Sequence, residues 1–326
     1  MPLPISVLDL ATVGRDQTVA EGLAGIVALA QKAEETGYRR VWYAEHHNMA
    51  SIASSAPAVL IAHVGAHTKT IRLGSGGVML PNHSPLVIAE QYGTLAELYP
   101  GRIDLGLGRA PGTDQTTLRA LRRDPSSAES FPQDVVELHG YLSGNTQIKG
   151  VNAYPGKGTD VPLYMLGSSL FGAKLAAALG LPYAFASHFA PAALHDAVAA
   201  YRREFTPSAQ LAEPYVMTAL NVVAADDQAD AERQFQEVMR SRVALLLPPG
   251  TEFTDEQADA LLAAPQGRHL QQMATYTAVG TPDRVREQVA EFAEHSKADE
   301  LIIAHQSPTV EGRLRSTELL AEAYLT

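Results

Sequence analysis

The sequence predicts an α/β fold, a single (β/α)8 barrel of the TIM type spanning residues 1–326. Three observations predict it. Short β-branched or apolar runs alternate with longer segments of helical period, about eight times over. Polar or glycine residues sit at the C-terminal ends of six consecutive runs, the end at which such barrels keep their active sites. No low-complexity linker or fixed-period repeat divides the chain.

The strands are expected at Pro4–Leu8, Arg40–Ala44, Ile71–Ser75, Ile103–Gly108, Leu163–Gly167, Tyr183–Ala186, Tyr215–Ala224 and Glu300–Ala304. Helices fill the gaps at Val19–Thr36, Pro57–His67, Pro85–Leu98, Pro132–Leu142, Leu170–Leu179, Ala192–Phe205, Gln228–Leu247, Pro282–Ser296 and Glu311–Tyr324. Ser84–Pro85 and Thr281–Pro282 each put a hydroxyl N-cap before a proline at the first helical position. Gly37 and Gly180 follow helices, where a left-handed cap is wanted. Two stretches break the rhythm, Ala110–Phe131 after the fourth strand and Pro248–Val279 after the seventh helix. Both read as long loops, which in compact domains are usually lids or mobile segments.

Composition narrows the function. The absence of cysteine excludes disulfides, thiolate-bound zinc, iron–sulfur clusters and a thiol nucleophile, and it fits a reducing compartment. A formal charge of −11 without any long basic run argues against nucleic acid and anionic membranes as partners. The first residues, MPLPISVLDL, lack a basic n-region, and no run reaches the ~18 apolar residues of a membrane helix. A cytoplasmic protein is expected.

The candidate site residues are those at the strand ends: Asp9, Glu45–His46–His47, Gly76–Gly77, Arg109, Ser168–Ser169 and His188. In MLGSSLFGAKLAAALG an apolar strand passes through Gly167, Ser168 and Ser169 into a helix, so free N–H groups and two hydroxyls stand at a helix N-terminus. That is a phosphate cradle, or an ordinary serine cap. Arg109 ends the preceding strand and would add a guanidinium suited to phosphate oxygens, unless it only pairs with a surface acid. Gly74, Gly76 and Gly77 are too many for a strand that only packs, and leave room for a flat ring. They do not form a dinucleotide fingerprint. His46 and His47 are adjacent, so along a strand they point to opposite faces and do not readily share a metal ion; no metal site is expected. One of them facing the mouth would serve as a proton carrier. The alternative is a hydrogen-bonded structural histidine. His188 and Asp9 carry weaker signals, a loop position and a turn cap.

The runs VWYAEHHN, IRLGSGGVMLPNHSPLVIAEQYGTLAELYPGRIDLGLGRAPG, PLYMLGSSLFGAKLAAALGLPYAFASHF and VGTPDRVREQV together resemble the bacterial luciferase-like flavin-dependent monooxygenases. The resemblance implies a barrel that takes reduced flavin mononucleotide (FMN) from a separate flavin reductase, reacts it with O2 at the flavin C4a carbon, and passes one oxygen atom to a small-molecule substrate. By motif, His46 matches the family's catalytic base. Glu45 falls with the cofactor-binding positions. Gly76–Gly77 match a non-prolyl cis peptide beneath the flavin ring, and Arg109 with Leu166, Gly167, Ser168 and Ser169 match the phosphate site. A homodimer through the helices after the second and third strands is also implied.

The departures bear on function. Gly108 stands where luciferase has its reactive cysteine, and the position of a second phosphate arginine falls near Pro132, leaving Arg119, Arg122 and Arg123 as candidates. The segment Pro248–Tyr276 differs from the mobile luciferase loop, so neither long-chain aldehyde nor light emission follows. Two alternatives stay open: hydride transfer with the deazaflavin coenzyme F420 of relatives, and flavin binding without turnover.

Overall fold

The computed structural model describes residues 2–326 except 16, 111, 112 and 249, with Pro125 described by its backbone alone. Pro111 and Gly112, the last two residues of the run IDLGLGRAPG, therefore lie outside the described residues. The strands are β1 (Ile5–Asp9), β2 (Arg40–Tyr43), β3 (Arg72–Met79), β4 (Ile103–Gly108), β5 (Leu163–Gly167), β6 (Tyr183–Phe185), β7 (Val216–Ala224), β8 (Thr277–Gly280) and β9 (Glu300–His305). The helices are α1 (Val19–Glu35), α2 (Pro57–Gly65), α3 (Pro85–Leu98), α4 (Gln115–Ala120), α5 (Phe131–Ser143) and α6 (Leu170–Leu179), followed by α7 (Leu194–Glu204), α8 (Gln228–Arg242), α9 (Asp255–Ala263), α10 (Arg268–Met273), α11 (Pro282–Ser296) and α12 (Val310–Tyr324).

Parallel pairing runs from β1 through β7, then to β9 and back to β1, closing a ring of eight strands. This is the expected (β/α)8 barrel, and all eight expected strands are in the ring. β8 is additional. Its Thr277–Gly280 pairs with Asn221–Ala224, while β9 holds the other edge of β7 as far as Val222. β8 therefore extends the edge that β6 occupies at Val216–Thr218. The four residues TAVG are too short and too uniform in polarity to announce a strand.

The two stretches expected as long loops contain structure. The first holds α4, whose N-cap Asp114 accepts from the N–H groups of Thr116 and Thr117. The second holds α9 and α10 as well as β8, with a capping box between Thr254 and Gln257 starting α9. Elsewhere the punctuation works as its chemistry requires: Gly180 adopts φ +63° at the end of α6. Ser84 and Thr281 are N-caps as expected, but their side chains make no cap hydrogen bond, so proline at the first helical position alone marks those starts.

Alternation along the strands sorts side chains into two cores. Val7, Val41, Tyr43, Leu105 and Ile303 face the helices. Leu8, Trp42, Ala44, Tyr164, Met217 and Ile302 form a separate cluster, which the period of two places inside the ring. Below that apolar layer, at the N-terminal ends of the strands, the lumen is plugged by ions. Arg40 Nη1 donates to Asp104 Oδ2 at 2.7 Å and to the Tyr164 hydroxyl at 2.8 Å, and Nη2 donates to Glu300 Oε2 at 3.1 Å. Trp42 Nε1 donates to Asp104 Oδ2 at 3.1 Å, and Arg72 donates to Asp104 Oδ1 through Nε and Nη2. Ser6 and Tyr215 supply hydroxyls to the two oxygens of Glu300. Two arginines face two carboxylates, and every oxygen of Asp104 and Glu300 accepts a hydrogen bond, as buried carboxylates require.

Arg40→Met would leave Asp104 and Glu300 without their central cation. The variant is expected to lose about 3–5 kcal/mol of stability, read as a lower denaturant midpoint at an unchanged m-value. A loss below about 1 kcal/mol would mean that Arg72 and the hydroxyls suffice.

Candidate functional site

Above the apolar layer the lumen opens at the C-terminal ends of the strands. The lumen-facing series on β2, Arg40, Trp42 and Ala44, continues two residues on to His46. The next residue, His47, turns the other way, so the two histidines diverge as their adjacency predicts. His46 is anchored by its N–H to the Ser54 carbonyl at 2.9 Å, and its Nδ1 is buried with no hydrogen-bond partner. Burial holds its pKa below the ordinary histidine value against the pull of Glu45, with His47 adding to the lowering. It is neutral at pH 7.

Glu45 is 1% exposed and fully engaged. His47 Nε2 lies 2.9 Å and His83 Nε2 2.7 Å from its Oε1, while the Met79 N–H donates to Oε2 at 3.1 Å. Burial pushes the Glu45 carboxyl up, but hydrogen bonds from His47, His83 and Met79 bring it below the ordinary value. This carboxylate ties the end of β2 to the end of β3 and the turn beyond it. The two imidazoles and the carboxylate also have their ligand atoms within 4.8 Å of one another, close enough to surround a cation.

The Gly76–Gly77 peptide is cis, in agreement with the sequence expectation. The register of β3 against β4 shifts between Ser75 and Val78 at this point. A Cβ on Gly77 would meet the Gly106 carbonyl oxygen at 2.9 Å, which backbone cannot yield, and one on Gly76 would meet Leu8 Cδ1 at 2.7 Å and force that side chain to move. The pair forms a side-chain-free stretch beside the lumen. Gly108, at the end of β4, is likewise close to Met79 Sδ, at 3.3 Å from its would-be Cβ.

Arg109 follows β4 and is exposed, with its guanidinium carbon 4.0 Å from the centroid of the Phe171 ring in the first turn of α6. The structure thus brings Arg109 to the helix N-terminus at which Ser168 and Ser169 stand exposed. Ser169 is the N-cap, and its side chain makes no cap hydrogen bond. Leu166, from the end of β5, packs against the lumen cluster. Arg109 and Arg123 line one cleft of about 230 Å³ with Asn82 and Thr113. Of the three candidate second arginines, Arg123 is therefore the one beside Arg109. Asp9 is a turn group: its Oδ1 accepts the Ala11 N–H at 2.8 Å, on the helix-facing side of β1.

The family model described as luciferase-like monooxygenase matches residues 3–299. The chain belongs to this family. A luciferase-like monooxygenase of Escherichia coli (strain K12) is 46% identical over 325 residues, covering 97% of this chain and 96% of the relative. The N-acetyl-S-alkylcysteine monooxygenase of Bacillus subtilis (strain 168) is 32% identical, with 98% of each chain covered. Among solved structures, apo-MsnO8 superposes with a TM-score of 0.89 at 34% identity, covering 99% of this chain and 98% of its own. More distant solved structures share the fold: the oxygenating constituent of 3,6-diketocamphane monooxygenase of Pseudomonas putida, solved with FMN, at 16% identity with a TM-score of 0.72, and an F420-dependent secondary alcohol dehydrogenase at 16% and 0.71.

The family's barrel mouth in this chain holds groups that the sequence did not announce. His83 belongs to the Glu45 network, although only its place in a turn rich in proline and asparagine marked it. Asn221 on β7 donates to the His188 carbonyl at 2.7 Å. Arg242, the last residue of α8, reaches Gln306, one residue past β9, at 3.4 Å. His188 senses both Arg242 and His46: burial, then these two neighbours, push its pKa down to about 3.

The Glu45 network gives a pH signature. Glu45→Gln should cost about 1–3 kcal/mol at pH 7. Because the folded-state pKa is lowered, the ionised carboxylate stabilises the fold above the unfolded value near ~4.3, and that contribution is lost as pH falls through the folded value. Urea unfolding at pH 7 and pH 3 should therefore show the gap between wild type and variant closing at the lower pH. A gap unchanged by pH would refute the assignment.

Proposed function

We propose that this chain is a monooxygenase that uses reduced FMN and O2 to oxidise a small organic molecule, the reduced flavin being a cosubstrate delivered by a separate reductase. One observation carries the reading: a neutral histidine with a buried, unpartnered Nδ1 stands at a lumen mouth edged by two glycines joined by a cis peptide, the second of which has no room for a Cβ against the Gly106 carbonyl. The residues fit the cofactor. A flat ring system requires side-chain-free backbone, as at Gly76–Gly77. A phosphate requires a guanidinium and free hydroxyls at a helix N-terminus, as at Arg109, Ser168 and Ser169. Support also comes from membership of the family and from the FMN-bound neighbour of the same fold.

Bound reduced FMN would supply the electron pair that activates oxygen. The protein's part is positioning and proton handling. Arg109, Ser168 and Ser169, with the backbone of Leu166 and Gly167, would hold the phosphate. Gly76 and Gly77 would lie against the ring. Glu45, its oxygens engaged by His47, His83 and the Met79 N–H, acts by positioning the segment that presents His46. His46 Nδ1 accepts or returns a proton, since its lowered pKa keeps it in the basic form at pH 7. The outward residues Val59 on α2 and Val87 and Leu98 on α3 are exposed, and we place a homodimer interface there. Light scattering at micromolar concentration should give twice the chain mass, and Val59→Glu should return it to the monomer.

Anaerobic titration with reduced and oxidised FMN, followed by oxygen uptake, tests the central reading. Tighter binding of the reduced form and flavin-dependent oxygen consumption are expected. Binding of F420 without binding of FMN would replace the reading with deazaflavin hydride transfer, which neighbours of the same fold perform. His46→Ala should lower turnover about 10²–10⁴-fold with FMN affinity retained. Arg109→Ala should weaken FMN about 10–100-fold and leave turnover at saturation near wild type. Equal losses of binding and rate in the histidine variant would remove its proton role.

A further inference from the structure

The polar end of the lumen holds an arginine without a counter-charge. Arg242 leaves the end of α8 and points back to the strand ends, where its Nη2 meets the neutral Gln306 Oε1 at 3.4 Å. Its Nη1 is buried with no hydrogen-bond partner, and no ion pair among the described residues includes it. Arg240, two residues earlier on the same helix, shows the ordinary alternative: it pairs with Asp255 at 2.9 Å and Asp259 at 2.6 Å. A buried guanidinium left unpaired costs stability, so a fold keeps one where an anion arrives.

The surroundings say where that anion would sit. His188 Nδ1 and Asn221 Oδ1 are buried and unpartnered as well, and so is His46 Nδ1. Arg242 and His46 both lie near enough to His188 to depress its pKa, whereas burial is the sole influence that shifts the pKa of Arg242 itself. No acidic side chain is felt there. Beneath these groups the lumen is apolar, with Leu10, Leu166 and Ala219 in the same cluster. A ligand matching this mouth carries one oxyanion at one end and an apolar body at the other.

We propose that Arg242 is a specificity residue that receives the carboxylate of a small organic-acid substrate and so directs the apolar remainder of that molecule into the lumen mouth beside His46. The proposal rests on reading this mouth as the substrate site. A planar guanidinium fork matches a carboxylate through two parallel hydrogen bonds, and an uncharged isostere such as an amide forfeits one of them together with the charge. An anionic edge of the bound reduced cofactor offers the same chemistry, and the test separates the two sources.

Calorimetric titration of the flavin-free protein and of the protein with oxidised FMN would compare hexanoate with hexanamide and 3-phenylpropanoate with 3-phenylpropanamide. The acids are expected to bind about 10–100-fold more tightly than their amides. Arg242→Met should abolish that preference while leaving amide binding in place and without lowering the melting temperature, since it relieves a buried unpaired fork, and Arg242→Lys, which keeps the charge, should retain part of the preference. Reduced-FMN affinity should be unchanged in Arg242→Met. Absence of acid-over-amide preference in the wild type, including binding of neither, would overturn the proposal, as would a loss of reduced-FMN affinity as large as the loss of acid binding. Acid preference in a wild-type protein that fails to bind FMN would leave this proposal standing and remove the cofactor reading.

Discussion

The architecture depends on the ionic plug at the barrel floor. A closed ring of eight strands leaves an interior just wide enough for side chains, and something must fill both ends of it. Arg40, Asp104 and Glu300 close the N-terminal end with fixed charges whose hydrogen bonds are supplied by Tyr164, Trp42, Ser6 and Tyr215. The layer of Leu8, Trp42, Met217 and Ile302 then rests on that floor. Polar groups at the opposite end consequently face one opening, and the divergence of His46 from His47 gains its meaning from there being a single mouth to face.

How much of this was legible in the sequence follows from the range of each interaction. The eight ring strands were readable because each is a run of apolar residues that announces itself locally, and the caps at Gly180 and before Pro85 and Pro282 lie within a residue or two of the boundary they mark. β8 was not readable: its four residues become a strand only through the long C-terminal half of β7. The candidate site divides in the same way. Glu45, His46, Gly76, Gly77, Arg109 and the turn through Ser169 are contiguous motifs at strand ends, and the structure gathers them about one mouth. His83 and Arg242 lie far along the chain from their partners Glu45 and Gln306, and an arginine at the end of a charged helix looks like any solvated one. Burial distinguished it, and burial is a property of the fold.

The charge distribution also changes scale between chain and site. The whole protein carries −11, which repels anions at a distance. At the mouth, Arg109 and Arg123 outnumber Asp124 in their shared cleft, Arg242 stands near His188 without a paired carboxylate, and Glu45 faces His47 and His83. Anions are therefore favoured only within a few ångströms of the opening, where the low dielectric amplifies a local cation.

The segment following α8 packs differently from the rest of the chain. Met239 and Val243 join Ala258, Leu262 and Leu270 in a small apolar core separate from the two barrel cores, and Arg240 clasps Asp255 and Asp259 across it. Residues that share no core with the barrel can be exchanged without repacking it. The segment is thus a separately packed unit beside the barrel, whose residues can change at little cost to the foldability of the strands.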